Sequence, residues 1–181
     1  ASGYRGHVAA LARGRLTAGS LKMVAGPAVA ILVVAPVSND SAVRLLADGA
    51  LVALSANLAN LFDRAPGRVA KVSLLMAAVL VGVTAAAPTL LGLAVVSGAA
   101  LALLVPDLRE RMMLGDAGAN PLGATLGLAT VLTVSPVART WVLVAVLALN
   151  LVSERVSFSR VIDRVAPLRA LDRMGRERPE G

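Results

Sequence analysis

The sequence predicts an all-α, polytopic membrane protein: a bundle of about six transmembrane helices followed by a basic amphipathic C-terminal tail. Three observations lead there. The 181 residues are 57% hydrophobic, with a mean hydropathy of +0.76, more apolar surface than a soluble domain of this size can bury in one core, so the surrounding solvent is lipid. The apolar residues fall into runs of near-bilayer length separated by charge, and the charges that separate them are unevenly shared between alternate connections.

Taken in order, the runs are 23–37, 42–62, 69–88, 89–105, 120–134 and 141–156. Each approaches the roughly 17 to 25 residues a spanning helix needs, with the first and fifth short. The third and fourth meet at Pro88 with almost no loop. The whole chain reads as one integral-membrane domain: a basic cytosolic loop over 1–22, membrane helices over 23–156 and a cytosolic tail over 157–181. The opening stretch ASGYRGHVAALARGRL is too basic and too little apolar for a secretory signal, and with Ala1 rather than Met in first place an N-terminal portion is expected to precede it. There is no cysteine, which removes disulfides and thiolate metal sites.

Orientation follows from charge. With the N-terminus in the cytosol, six crossings leave Arg5, Arg13, Arg15, Lys22, Arg64, Arg68, Lys71, Arg109, Arg111 and the arginines from Arg155 to Arg178 on the cytosolic side, and only Arg44 and Arg139 outside. That is the positive-inside pattern of a bacterial plasma-membrane protein with both ends cytosolic. It accounts for the net charge of +7 without nucleic acid, and at 2% aromatic residues the chain has no base-stacking platform. In the tail, Phe158, Val161, Ile162, Val165, Leu168, Leu171 and Met174 recur at helical intervals between arginines. This is the pattern of a helix lying on anionic lipid, or of a solvated basic tail.

Two polar clusters fall at cytosolic helix ends. In SANLANLFD, Asn57, Asn60 and Asp63 are three residues apart and share one broad helix face, where groups costly in lipid must point into the bundle or a cleft. The alternative is that the asparagines are interhelical hydrogen-bond glue. In LRERMMLGDAGANPLGA, Gly115, Asp116 and Gly118 are expected to form a tight turn, with Asn120 as N-cap and Pro121 as the first residue of the next helix. Such a helix start offers free N–H groups to phosphate. A carboxylate beside it would repel phosphate unless a divalent cation lay between, so Asp116 reads as a Mg²⁺ ligand, or else as an acid stabilising a helix start. Gly92, Ser97, Gly98 and Ala99 are small enough for close helix packing in the fourth span.

These segments resemble a family. NLANLFDRAPGR is similar to the N-x-x-N-x-x-D-G-x-x-G-L segment, and MLGDAGANPLGA to the G-D-x-G-S-x-x-L-G segment, of the polyprenyl-phosphate N-acetylhexosamine-1-phosphate transferases, a superfamily that includes phospho-N-acetylmuramoyl-pentapeptide transferase. GYRGHVAALARGRLTAGSLK resembles the cytosolic stretch that follows that family's first acidic motif. The resemblance implies a membrane enzyme of cell-wall or envelope glycan synthesis that moves a sugar phosphate from a UDP-sugar to polyprenyl phosphate with Mg²⁺ and releases UMP. It implies catalytic roles for Asp116 and Asp63, with Asp116 on the metal. It implies a nucleotide-sugar site lined by Asn57, Asn60, Arg64, Gly115, Gly118 and Asn120, with Leu122 and Gly123 opening the following helix.

Departures are equally plain. Arg64 stands where the family has glycine, Pro66 where it has a second aspartate and Ala119 where it has serine. The family's adjacent Asp-Asp pair would fall before Ala1, and SERVSFSRVIDR holds no histidine where the family carries one. His7, the one histidine, sits in a basic loop, and Glu154 beside Arg155 reads as a juxtamembrane ion pair or a substrate contact. A catalytically silent relative that binds lipid phosphate or nucleotide-sugar therefore stands beside the enzyme reading. A small transporter fits less well, because the charges gather at one face and Asp48, the acid well inside a span, lies near its outer end.

Overall fold

The computed structural model describes Arg13, the backbone of residues 18–176 and the side chains from residue 24 onward; His7, Arg5, Arg15 and Arg178 lie outside the described residues. Among these residues the fold is all-helical: α1 (Ala18–Val34), α2 (Ala42–Phe62), α3 (Arg68–Val83), a 3₁₀ turn (Pro88–Leu90), α4 (Leu91–Leu108), α5 (Gly115–Thr133), α6 (Pro136–Ser153), α7 (Phe158–Arg164) and α8 (Ala166–Arg173). Three stretches, Ala42–Phe62, Pro88–Leu108 and Pro136–Ser153, are long and apolar enough to cross a membrane. Their outward surfaces agree, with Leu91, Val95 and Leu101 on α4 and Val137, Trp141 and Leu151 on α6 all largely exposed. Water would penalise so continuous an apolar surface, and lipid would not.

The chain divides into two compact units, residues 1–50 and 51–181. In the first, α1 is helical from Ala18, so residues 18–22 belong to a helix and not to the expected loop. The start of α2 is capped by Ser41, whose Oγ accepts the Arg44 N–H at 3.1 Å. Asp48 is buried and accepts a 2.8 Å hydrogen bond from Ser38 Oγ, with Arg44 3.9 Å away.

The second unit packs the C-terminal part of α2 against α3, α4 and α5. One apolar cluster joins Ala59, Val69, Ala100, Leu114, Ala119 and Leu122, with Phe62 and Val96 against it. A second, at the other end of the helices, joins Ala77, Leu80, Leu90, Leu93 and Ala129. Contact between α2 and α5 is close because α5 presents Gly123 and Gly127 one turn apart. A Cβ at Gly123 would lie 2.2 Å from the Ser55 carbonyl oxygen, and one at Gly127 2.9 Å from Val52 Cα. This small-xxx-small pair does the work expected of the fourth span. There, by contrast, a Cβ on Gly92 or Gly98 would meet nothing within 4 Å.

Two further departures from the expected helices have identifiable reasons. Helix α5 begins at Gly115, with Gly118 N–H already bonded to Leu114 C=O at 3.1 Å. Asn120 and Pro121 are thus inside the helix, Asn120 is no N-cap, and Leu122 and Gly123 lie mid-helix. Gly115 alone takes a left-handed backbone (φ 60°), so the expected tight turn reduces to that one residue. The tail, expected as one helix, is two. Val165 is extended (φ −94°, ψ 106°), because Pro167 in a continuous helix would lack an N–H and crowd the carbonyl of Asp163. That carbonyl instead accepts Arg169 Nη1 at 3.1 Å.

Candidate functional site

At one end of the second unit the C-terminus of α2, the N-terminus of α3, the C-terminus of α4 and the approach to α5 surround a cleft of about 520 Å³. Its walls are Asp63, Arg64, Ala65 and Pro66 from the α2–α3 loop, Asp107 from the end of α4, and Glu110, Arg111, Met112 and Met113 from the α4–α5 connection.

The loop's shape is dictated by Gly67. Its backbone is left-handed (φ 66°), and a Cβ there would lie 2.4 Å from Leu108 Cδ2, so only glycine fits between the loop and α4. The Gly67 N–H donates to Asp107 Oδ2 at 3.1 Å. Asp107 is 3% exposed and belongs to the last turn of α4, which runs three residues beyond the expected end at Val105. It was not foreseen as a site residue, since a carboxylate just past Pro106 reads as a loop charge.

The second tie joins the two motifs. Asp63, 8% exposed, lies beside the backbone N–H of Gly115; burial pushes its carboxyl above the usual carboxylate range, and that N–H only partly offsets this. Asparagine and glycine segments far apart in the chain are thereby held at one place.

The remaining expected site residues divide. Arg64 is exposed and lines the cleft. Asn60 is half-buried one turn before Asp63. Asn57 lies farther up α2, where its amide donates to Asn150 Oδ1 of α6 at 2.7 Å. Asn150 in turn donates to the carbonyls of Leu54 and Val146 at 3.2 and 2.8 Å. Asn57 is thus engaged in joining α2 to α6. Gly118 and Asn120 lie on the first turns of α5, and Asp116 is exposed on its first turn, where an acid complements the helix dipole. None of these three, nor Gly115, is among the cleft walls.

Mg²⁺ is commonly held by one or two carboxylates together with water and substrate phosphates. Among the described residues no three His, Cys, Asp or Glu side chains converge closely enough to hold a metal ion. The carboxylates that line the cleft are Asp63, Asp107 and Glu110, not the expected Asp116.

Beside the cleft, the tail folds back on the α2–α3 loop. Arg68 grips Asp172 with two bonds, Nε to Oδ1 at 2.6 Å and Nη2 to Oδ2 at 3.0 Å, while its Nη1 donates to Ser159 Oγ at 2.8 Å. Arg176 reaches Asp172 Oδ2 at 2.6 Å. Lys71 Nζ donates to the carbonyls of Leu171, Asp172 and Met174 at 3.1, 2.6 and 3.1 Å, which caps the C-terminus of α8. The tail is organised around one buried acid, Asp172, that the arginine-rich pattern hid.

The chain matches no family model, and comparisons with curated proteins and with solved structures return no similar protein.

Proposed function

We propose that the protein acts at the cytosolic face of a bacterial plasma membrane on a UDP-N-acetylhexosamine-type sugar and polyprenyl phosphate, transferring the sugar phosphate to the lipid in envelope glycan synthesis. In this reading all six long helices cross the membrane and both ends are cytosolic. The observation that carries it is the approach of Asp63 to the backbone N–H of Gly115, which brings together the two segments that resemble the transferase family beside a cleft at one end of the helices.

The chain's own residues then have distinct tasks. Arg64 and Arg111 offer guanidinium groups suited to the oxygens of a diphosphate. Asp63 and Asp107 fix the backbone on either side of the α2–α3 loop through Gly115 and Gly67. Catalysis of this type rests on positioning and charge more than on covalent chemistry with the protein. No step is assigned to Mg²⁺.

A specific observation favours a second reading, a relative that binds polyprenyl phosphate or nucleotide-sugar without transfer. Three carboxylates (Asp63, Asp107, Glu110) and only two guanidinium groups line the cleft, and no metal-holding cluster offsets them among the described residues.

The test is UMP release from UDP-N-acetylglucosamine or the muramoyl-pentapeptide nucleotide by membranes bearing the protein expressed from its intact reading frame, with added polyprenyl phosphate. The enzyme reading expects release that falls roughly a hundredfold in Asp63→Asn, the scale of losing one positioned polar group. Binding of the nucleotide-sugar without UMP release selects the second reading. Neither binding nor release overturns both.

A further inference from the structure

We propose that the C-terminal segment from Ser157 to Arg176 is a latch that positions the cleft's α2–α3 wall, with Arg68 and Asp172 as its positioning residues. The inference rests on the cleft being a phosphate-ligand site only for its functional consequence; the latch itself is argued from contacts.

The tail holds the loop at three points, one before it, one within it and one after it. Before it, Phe62 stacks on Phe158, with ring centroids 5.0 Å apart and planes 9° from parallel. Within it, the carbonyl of Pro66 accepts Arg176 Nε at 3.1 Å. After it, Arg68 is bound to Asp172 and Ser159. The loop so bracketed supplies Asp63, Arg64, Ala65 and Pro66 to the cleft.

These contacts are specific in a way that a tail merely resting on lipid would not require. Arg68 and Asp172 are 4% and 8% exposed, so the Arg68 charge depends on Asp172 for compensation, and Asp172 is shared between Arg68 and Arg176. A guanidinium bound through both edges has a fixed plane and direction, which transmits the tail's position to the residue next to Gly67. No cleft-wall residue belongs to the tail, so Arg68 and Asp172 act through the loop and not on a ligand.

Because the sequence contains no cysteine, paired spin labels can be placed in the full chain at Ala65→Cys, in the loop, and at Gly92→Cys, where a side chain meets nothing within 4 Å. The pair reports the loop against α4 and is blind to the tail. A narrow distance distribution is expected in the otherwise unaltered protein, a broad one in Asp172→Asn, and recovery in Asp172→Glu. In the transfer or binding assay Asp172→Asn should lose about a hundredfold in kcat/KM or affinity for UDP-N-acetylglucosamine, carried mainly by KM, as for a wall that is present but misplaced. An unchanged loop distribution in Asp172→Asn overturns the latch, and so does a loosened loop with unaltered KM. A loosened loop in a protein that binds no UDP-sugar in either form leaves the latch standing and sinks the reading of the cleft. Should Asp172→Asn fail to fold, Arg176→Met removes the Pro66 grip and one bond to Asp172 while leaving the Arg68–Asp172 pair in place, and the same broadening is expected on a smaller scale.

Discussion

The two ends of the helices in the C-terminal unit are built on opposite principles. At the cleft end, hydrogen bonds and ion pairs run between elements: Gly67 to Asp107, Arg68 to Asp172, Arg176 to Pro66. At the other end the contacts between elements are apolar, through Ala77, Leu80, Leu90, Leu93 and Ala129. The hydroxyls there turn inward on their own helices, Thr84 to Leu80, Thr130 to Leu126 and Thr133 to Ala129. Apolar packing tolerates substitutions of similar volume, whereas directional bonds between charged groups fix one geometry. A molecule that spends its polar residues at one end has its geometry-sensitive work there.

The largest expected effect separates the ends by charge. Burial alone would raise the Asp172 carboxyl, but the hydrogen bonds and charge of Arg68 and Arg176 outweigh it and hold the group below the usual carboxylate range. A depressed folded-state value means stability that is fully present above the ordinary carboxylate pKa and is lost as pH falls through the lowered one. Asp63, raised by burial, acts in the opposite sense, since its protonation as pH falls favours the fold. Asp172→Asn leaves Arg68 buried against a neutral partner and should cost about 3 kcal/mol near neutrality. Unfolding in detergent, followed from about pH 6 downward, should show the native protein losing stability in acid and Asp172→Asn losing less. Parallel profiles would mean that the ion pair contributes nothing.

A smaller effect is expected at the apolar end. Leu80, 8% exposed, fills the space between Ala77, Leu90, Leu93 and Ala129. In lipid the transfer term between helices is weak, so Leu80→Ala should cost mainly its cavity, about 2 kcal/mol. The loss should appear in thermal stability with UDP-sugar affinity unchanged. A matching loss of affinity would show that the two ends are coupled and that the comparison fails.

How much of this was legible depends on sequence distance. The run 42–62 coincides with α2 because both its limits are local: Ser41 caps one end and Gly67 enforces the turn beyond the other. The start of α5 was misplaced because Asn120–Pro121 is a strong local signal for a helix start. The left-handed Gly115 and the Gly118–Leu114 bond begin the helix earlier, and Pro121 sits inside it at the loss of one backbone donor. Asp63 was found from spacing, and its Gly115 partner lies in a segment also singled out. Asp107 and Asp172 were not found, since the partners that define them, Gly67 and Arg68, are 40 and 104 residues away. Burial of a charge is a property of the fold, and neither neighbour in sequence announces it.

The smallest expected effect probes the middle, between the two ends. Asn57 and Asn150 join α2 to α6 in a helix pair whose α6 surface is otherwise largely open to the surroundings. Asn150 also donates to Leu54 C=O and to Val146 C=O in its own helix, so Asn150→Leu removes one direct side-chain bond and one bond to the backbone of α2. Polar contacts between helices in lipid average about 0.6 kcal/mol, because the separated helices find other partners. The expected loss is therefore close to that figure, in thermal stability and without change in UMP release or UDP-sugar binding. If Asn57→Leu, made separately, abolished nucleotide-sugar binding while Asn150→Leu left it intact, Asn57 would belong to the site and not to the helix pair. Equal and small effects from both place it with the glue that holds α6 in register.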